Sequence, residues 1–181
     1  NHVVEDSEEL SVTFIDNQSV KAAVKGTDSD SDLAVIAVQL SDIPEETRKQ
    51  IKVADLGDSD SMKLGQGVVA IGNALGQGQS VTVGYVSALN KKITINDVER
   101  TLLQVDAAIN PGNSGGALVD AHGNLVGINT AIFSKSGGSQ GIGFAIPLKL
   151  AMEVMQAIIE PGKVIRGYLG VEVQPLTPAL A

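Results

Sequence analysis

One segment of the chain combines residue types that suit nucleophilic catalysis. Ser114 lies between glycines in residues 112–116 (GNSGG), directly after Asn110 and Pro111. A serine flanked by glycines can sit on a sharp turn with its hydroxyl exposed, and glycine lets several backbone N–H groups point into one small space. Such N–H groups stabilise the oxyanion that forms when a hydroxyl attacks a carbonyl carbon. The pattern favours acyl transfer on Ser114, although ordinary polar loops share the same composition.

The same five residues also match the G-x-S-x-G elbow of α/β-hydrolases. That fold requires a helix directly after the serine, followed by an acid and a histidine further along the chain. Residues 117–126 read ALVDAHGNLV, which is a strand–turn–strand pattern. The sequence therefore excludes the α/β-hydrolase interpretation.

Two histidines could act as the general base, His2 and His122. His122 lies at the tip of the predicted hairpin that begins just after Ser114, and an extended strand rises about 3.3 Å per residue. We therefore expect His122 to be a solvated turn residue far from the serine hydroxyl. This leaves His2 as the candidate base.

Asp32 is the acidic residue whose position is most informative, because it directly precedes the apolar run Leu33–Val38 (LAVIAV), which predicts a buried strand. A carboxylate at the mouth of a buried strand is partly desolvated, which suits a group that holds an imidazole in one tautomer. Asp28 and Asp30 lie in a polar run and are predicted to be solvated turn charges. An ordinary strand-entry cap would place Asp32 in the same way, so its position alone does not assign a role.

The composition excludes several functional classes. The formal net charge is −8 and no cluster of Lys and Arg is present, which argues against a nucleic-acid surface. The chain has no Cys, which removes thiolate catalysis, disulfides and Cys-based metal sites. Two His and no Cys offer no ligand cluster, so we expect neither a metal nor another cofactor. No apolar run approaches the length of about 18 residues that a membrane-spanning helix requires.

The hydrophobic pattern predicts many short strands and one late helix. The helix is indicated by apolar residues at spacings of three and four from Leu148 to Ile159, and Pro161-Gly162 closes it. A short surface helix is predicted at 44–50. The predicted strands are residues 11–15, 19–24, 33–38, 67–71, 80–89, 93–95, 102–105, 117–119, 125–132, 142–146 and 168–173, and residues 98–102 are a candidate to pair back across a turn at Asn96 and Asp97. This arrangement indicates an all-β barrel architecture and does not fit alternating β–α units.

Three motifs, in chain order, resemble those of the HtrA/Deg family of trypsin-like serine proteases. They are residues 1–4 (NHVV) with the base, 31–35 (SDLAV) with the acid, and 108–118 (AINPGNSGGAL) with the nucleophile. Supporting matches lie at 70–73, 83–89, 127–132 and 141–147. The order His, Asp, Ser is that of chymotrypsin. The resemblance therefore implies an all-β, chymotrypsin/trypsin-like double β-barrel, with a first barrel lacking its N-terminal strands here and a late C-terminal helix.

The resemblance also implies the roles of individual residues. His2, Asp32 and Ser114 would form a catalytic triad, and the N–H groups of Gly112 and Ser114, with that of Asn113 nearby, would form the oxyanion hole. The residues implied to line the pocket for the amino acid before the cut are Ile109, Asn129, Thr130, Ala131 and Ile142. Because no acidic residue lies at the floor of this pocket, we expect a preference for Val or Ala, not Lys or Arg.

The resemblance divides the chain into a protease domain, 1–162, and a following segment, 163–181. Within the first, 1–62 would be part of the first barrel, 63–146 the second barrel and 147–162 the C-terminal helix. The second would be a linker and the beginning of a PDZ domain, since 166–171 (RGYLGV) resemble the opening strand of that domain. Residues 134–141 (SKSGGSQG) resemble the mobile loop that shapes the substrate pocket, and 41–50 are expected to be a surface insertion.

The resemblance finally implies an extracytoplasmic protein of the cell envelope that acts on unfolded or regulatory proteins. It implies a homotrimer assembled through residues outside this sequence, and it is compatible with a membrane anchor outside it. The alternative is a non-enzymatic holdase that grips unfolded chains without cutting them. Labelling of Ser114 by a fluorophosphonate distinguishes the two.

Overall fold

The computed structural model describes residues 1–73, 78–132, 138–160 and 162–167. In these ranges three strands form a sheet in the order β1-β2-β3, and six strands close into a barrel in the order β4-β5-β6-β9-β8-β7, with antiparallel pairing in both. The strands are β1 (Leu10–Thr13), β2 (Ser19–Asp28), β3 (Leu33–Val38), β4 (Gly67–Gly72), β5 (Ser80–Ile95), β6 (Val98–Val105), β7 (Ala117–Asp120), β8 (Leu125–Ile132) and β9 (Gly143–Pro147). The helices are α1 (Glu45–Arg48) and α2 (Leu148–Ile159), with 3-10 turns at Leu40–Asp42 and Ser59–Ser61. The predicted all-β architecture with a late helix is confirmed.

The sheet β1-β2-β3 carries the acid motif, 31–35, whereas the base motif, 1–4, precedes the first strand in the chain. Strands β2 and β3 pair from Asp28 opposite Leu33 to Ala22 opposite Val38, so that residues 29–32 close a tight hairpin. Strand β3 was predicted to be buried, and it is only half-buried, with Ile36 41% exposed. The reason is that residues 33–36 line a cavity that separates part of the strand from helix α2.

The barrel has a core of aliphatic side chains that alternate inward along its strands, as expected for strands with one buried face. Its buried members include Val68, Ala70, Leu103, Val105 and Leu118. The two segments predicted at 80–89 and 93–95 form one long strand, β5, whose pairing with β6 is irregular between Val86 and Lys91. The predicted turn between β5 and β6 is present, and Asn96 and Asp97 adopt positive φ angles of 50° and 61° there.

Helix α2 joins the sheet to the barrel, since it contacts β2 and β3 of the sheet and β8 and β9 of the barrel. Its apolar side buries Leu148, Val154 and Ile158. A Cβ atom at Gly26 of β2 would lie 2.8 Å from Cγ2 of Ile158, so the glycine permits the close approach of helix and strand. Among the described residues no helix is long and apolar enough to cross a membrane.

The segment 41–50 is more than the surface insertion that the sequence predicted. Ile43 and Thr47 are buried, and the Thr47 hydroxyl donates a hydrogen bond to Oδ2 of Asp16 at 2.5 Å. Residues 134–137 of the loop predicted at 134–141, Pro161 of the predicted helix end, and the strand predicted at 168–173 lie outside the described residues.

Candidate active site

The acid and base candidates of the sequence lie side by side. Asp32 ends the turn between β2 and β3 with a φ angle of +61°, a left-handed conformation that Asp tolerates better than most residues. Its Oδ2 lies 2.7 Å from Nδ1 of His2, and the backbone N–H of His2 donates to its Oδ1 at 2.9 Å. Because Nδ1 faces the carboxylate, the second ring nitrogen, Nε2, is left to exchange a proton with another group.

The surroundings of Asp32 keep its carboxylate ionised. The side chain is only 8% exposed, and this burial by itself raises the pKa. Hydrogen bonds from the His2 N–H, the Thr130 hydroxyl and the His2 imidazole act in the opposite direction and together outweigh the burial. The net result holds the pKa of Asp32 well below its usual range, so the group carries a negative charge that can stabilise an imidazolium.

Thr130 of β8 connects this acid–base pair to the serine. Its hydroxyl donates to Oδ2 of Asp32 at 2.7 Å, and its carbonyl accepts a hydrogen bond from Oγ of Ser114 at 3.1 Å. The sequence interpretation assigned Thr130 only to the substrate pocket and missed its contact with Asp32. The two residues are 98 positions apart, and no local pattern signals such a contact.

The serine lies on a turn that requires glycine. Gly112 and Gly115 have φ angles of +95° and +84°, a region that side chains other than glycine rarely adopt. Between them, the buried Asn113 donates its N–H to the carbonyl of Asn110 at 3.0 Å and accepts from the N–H of Gly116 at 3.0 Å. Backbone hydrogen bonds within the turn therefore stabilise it. A strand follows the turn, as the sequence predicted.

Two barrel strands, β8 and β4, also contact the same turn. The N–H of Gly115 donates to the carbonyl of Asn129 on β8 at 2.8 Å, and the N–H of Asn129 donates to the carbonyl of Gly116 at 2.9 Å. On the β4 side, a Cβ atom at Gly72 would lie 2.5 Å from Oδ1 and 2.7 Å from Cα of Asn113. Strand and turn are thus in direct backbone contact, and this contact fixes where Ser114 projects.

The backbone N–H groups around Ser114 differ in whether they already donate a hydrogen bond. The N–H of Asn113 is bound to Asn110 within the turn. Among the hydrogen bonds of the described residues, none is donated by the N–H of Gly112 or of Ser114, which are the two donors that the sequence predicted for an oxyanion hole. This pair remains available to an oxygen atom of a bound molecule.

Two residues predicted for the substrate pocket have side chains that bind elsewhere in the protein. The amide of Asn129 donates to the carbonyls of Ile71 and Ala117 at 3.1 and 3.2 Å, and the hydroxyl of Thr130 is bound to Asp32. The side chain of Ala131 lies outside the described part of the structure.

The other two predicted pocket residues lie in different apolar clusters. Ile109 belongs to the barrel core, where a Cβ atom at Gly143 would lie 2.6 Å from its Cγ1. Ile142 packs against a second cluster that includes Leu102 and Phe144. The assignment of these residues to one substrate pocket stays a prediction.

His2, Asp32 and Ser114 line one cavity of about 570 Å³. The cavity continues from these polar groups between the sheet and helix α2, where Val35, Ile128, Met152 and Met155 add apolar walls. The structure thus brings together the three residues that the sequence selected. Asp32 comes from the turn between β2 and β3, Ser114 from the turn that precedes β7, and His2 from the chain start, and all three surround one cavity.

Asp28, at the end of β2 beside the turn that carries Asp32, is a buried charge that the sequence interpretation placed in solvent. Asp28 is 6% exposed, and its two carboxylate oxygens each accept a hydrogen bond from Arg166 at 2.5 Å. These hydrogen bonds, with further ones from Ser31, outweigh burial and lower the pKa of Asp28 to about 2. The prediction of a solvated Asp28 was wrong because its partner lies 138 positions away.

His122 and the acidic residues offer no alternative centre. His122 lies exposed on the turn between β7 and β8, where its N–H donates to Oδ1 of Asp120 at 2.8 Å. Within the ranges that the structure describes, no group of three or more His, Cys, Asp and Glu could hold a metal ion.

Comparisons with known proteins agree with this geometry. Residues 1–128 match the model of the "Trypsin-like peptidase domain" family. A protein of Halomonas elongata named "Probable periplasmic serine endoprotease DegP-like" is 43% identical over 99% of this chain. A protein of Bartonella henselae with the same name is 44% identical over 100% of it. The chain spans only 36% and 34% of the length of these two relatives.

Solved structures give the same result. The structure named "HtrA-type protease AlgW with decapeptide" is 53% identical with a TM-score of 0.87, and the match covers 99% of this chain and 53% of that one. The serine endoprotease from Yersinia pestis is 39% identical with a TM-score of 0.77, over 94% of this chain and 56% of that one. These similarities confirm the predicted trypsin-like fold and the predicted resemblance to HtrA-type proteases.

Proposed function

Because this chain belongs to the family of trypsin-like peptidase domains, we propose that it is a serine endopeptidase whose catalytic triad is His2, Asp32 and Ser114. The observation that carries the proposal is the 2.7 Å contact between Nδ1 of His2 and Oδ2 of Asp32, in a cavity that Ser114 also lines. An ionised carboxylate on Nδ1 makes Nε2 the proton acceptor, which is the tautomer that general-base catalysis on a serine requires.

The first chemical step transfers the Ser114 proton to His2. In the structure the Ser114 hydroxyl donates to the carbonyl of Thr130, so it must turn from that carbonyl to Nε2 of His2 when a substrate binds. Catalytic hydrogen bonds often form fully only in the substrate complex. As Oγ attacks the scissile carbonyl carbon, Nε2 takes the proton and Asp32 stabilises the resulting imidazolium.

The second step breaks the peptide bond. The carbonyl oxygen of the substrate becomes an oxyanion, which the N–H groups of Gly112 and Ser114 can bind. Each such donor typically lowers the barrier by about 3–4 kcal/mol. His2 returns its proton to the leaving amine, and an acyl-enzyme on Ser114 remains. A water molecule then attacks the ester carbon while His2 takes one of its protons; as the ester bond breaks, His2 returns that proton to Oγ of Ser114, and the second product leaves as the free acid.

The names of the relatives support a cellular role in the periplasm. The DegP-like relatives are named periplasmic, and an HtrA-type neighbour was solved with a decapeptide. We extend to this protein an extracytoplasmic location and activity on unfolded or regulatory proteins of the cell envelope. The preference for Val or Ala before the cut, the PDZ domain beginning in 163–181, the homotrimer and the membrane anchor stay predictions from the family resemblance.

A fluorophosphonate probe tests the proposed chemistry. The probe reacts with a serine only where a neighbouring base activates it, so we expect the wild-type protein to be labelled and Ser114→Ala to be unlabelled. Ser87→Ala, on β5 and outside the cavity lining, is the matched control and should retain labelling. Equal labelling of wild type and Ser114→Ala would refute the assignment of the nucleophile.

Digestion of casein, followed by mass spectrometry of the new chain ends, tests the proposed specificity. We expect cuts after Val and Ala. Cuts mainly after Lys or Arg would refute the pocket assignment and leave the triad untouched.

A further inference from the structure

A residue of the barrel binds the turn that carries Asp32. Nε of Arg100, on β6, donates to the carbonyl of Asp30 at 2.8 Å, and its Nη2 donates to the carbonyl of Ser29 at 2.8 Å. The carbonyl of Ser29 also accepts a hydrogen bond from the backbone N–H of Asp32, at 3.3 Å. The guanidinium group and the backbone of Asp32 thus share one acceptor atom.

The conformation of Asp32 needs such support. Its φ angle of +61° lies in the left-handed region that residues with a side chain rarely adopt, and such a conformation persists only where surrounding contacts enforce it. The planar fork of an arginine presents two N–H groups in a fixed geometry, which matches two neighbouring carbonyl oxygens in a way that a lysine ammonium does not. Arg100 therefore fixes the peptide groups that determine where the Asp32 carboxylate points.

The contact of Arg100 also links the two units of the fold, which are the sheet β1-β2-β3 and the six-stranded barrel. Asp32 and His2 pair next to the sheet β1-β2-β3, whereas Ser114 projects from the barrel. Arg100 is itself anchored in the barrel, because β6 pairs with β5 at Arg100 opposite Ile93. Its two hydrogen bonds tie the acid turn to the unit that carries the nucleophile.

A surface ion pair does not account for the position of the Arg100 guanidinium group. None of the salt bridges of the described residues involves Arg100, although Glu99 beside it pairs with Lys92 at 3.0 Å. The carboxylate side of the same turn is occupied by Arg166, which binds Asp28. Arg100 is the contact on the carbonyl side.

We propose that Arg100 is a positioning residue for catalysis, which holds the acid turn so that Asp32 orients His2 toward Ser114. The proposal rests on the proposed function. Arg100 does not line the cavity, so its loss should reduce the rate of the chemical step and leave substrate binding unchanged. Misplacement of a catalytic group by about 1 Å can cost about 100-fold in rate.

The rate of fluorophosphonate labelling of Ser114 and the kcat and KM of peptide cleavage test this role. For Arg100→Ala we expect labelling and kcat to fall by about 10- to 100-fold with KM unchanged, because the acid–base pair loses its orientation. Arg100→Lys keeps the charge and can reach one carbonyl, so it should recover part of the rate. Lys92→Ala, which removes a cation from the same hairpin without touching the acid turn, should behave as wild type.

The outcomes separate the two proposals. A folded Arg100→Ala protein with the labelling rate of wild type would overturn the role of Arg100 and leave the protease proposal intact. A wild-type protein that is not labelled at all would overturn the proposed function and, with it, this proposal. If thermal unfolding shows that Arg100→Ala does not fold, the labelling rate of Arg100→Lys tests the proposal instead. A wild-type labelling rate for Arg100→Lys would overturn the role of the guanidinium fork.

Discussion

At the scale of single residues, Thr130 contacts both ends of the proposed triad, one through its side chain and the other through its backbone. Its hydroxyl satisfies the same carboxylate oxygen of Asp32 that faces His2, and its carbonyl holds the Ser114 hydroxyl in the resting state. A buried carboxylate depends on such donors, because each one offsets part of the desolvation of the charge.

Replacement of Thr130 by Val removes the hydroxyl and keeps the shape of the side chain. The hydrogen bond is made to a charged group, and such bonds contribute about 1.5–3 kcal/mol, so kcat/KM should fall by about 10- to 100-fold. Steady-state kinetics on a peptide substrate measure the effect. Thr130→Ser retains the hydroxyl and should stay within a few-fold of wild type; a Thr130→Val enzyme as active as Thr130→Ser would contradict the role of the hydroxyl.

Asp28 predicts a pH dependence of stability. Its pKa is about 2 in the folded protein, whereas an unfolded Asp titrates near about 3.9. A lowered folded pKa contributes stability that is present above the unfolded pKa and is lost as the pH falls toward the folded value. The difference in unfolding free energy between wild type and Asp28→Asn should therefore be largest near neutral pH and shrink between about pH 4 and pH 2.

Urea unfolding of both proteins at several pH values measures this difference. Asp30→Asn is the control, because Asp30 is 56% exposed and its 3.1 Å contact with Arg166 is a weak surface pair. A difference between wild type and Asp28→Asn that does not change with pH would show that the charge of Asp28 adds nothing to stability.

At the scale of elements, strand β4 and the turn 110–116 act as one unit, because Gly72 lies against the backbone of Asn113. Gly72→Ala would place a methyl group 2.7 Å from Cα of Asn113, and neither backbone can yield without moving Ser114. We expect a loss of about 1–3 kcal/mol in unfolding free energy together with loss of fluorophosphonate labelling.

Gly67→Ala is the matched control for Gly72→Ala. Gly67 lies at the other end of β4, and a Cβ atom there would meet no atom within 4 Å. Its thermal unfolding and its labelling should both resemble those of wild type. Equal effects of the two substitutions would show that the contact with Asn113 does not matter.

At the scale of the whole molecule, helix α2 determines how the sheet sits on the barrel. Ile158 is buried against Gly26 of the sheet, whereas its neighbour Ile159 is 59% exposed. Ile158→Ala should lower the free energy of unfolding by about 2–5 kcal/mol, as is typical of buried large-to-small substitutions, and Ile159→Ala should change it little. Chemical denaturation of the two variants checks this, and similar midpoints for both would contradict the role of α2.

The sequence predicted what depends on local patterns. Alternation of apolar residues identified the barrel strands, the three- and four-residue spacing identified α2, and the glycines around Ser114 identified its turn. Three motifs far apart in the chain then selected His2, Asp32 and Ser114, which the structure brings to one cavity.

The sequence could not predict contacts that only the folded chain creates. Arg100 and Arg166 reach the acid turn across 70 and 138 positions, and nothing near either arginine indicates its partner. Asp28 looked like a solvated turn charge for the same reason. The length of β5 was also missed, because the polar residues from Asn90 to Lys92 interrupt the apolar pattern while the backbone pairing with β6 resumes at Lys91.

The division of the proposed triad between two units has a consequence for biosynthesis. One unit presents the imidazole and carboxylate, the other presents the hydroxyl, and neither can hydrolyse a peptide bond before they dock. The proposed activity therefore requires the docked arrangement of sheet and barrel, and a newly made copy would acquire it only after the two have come together.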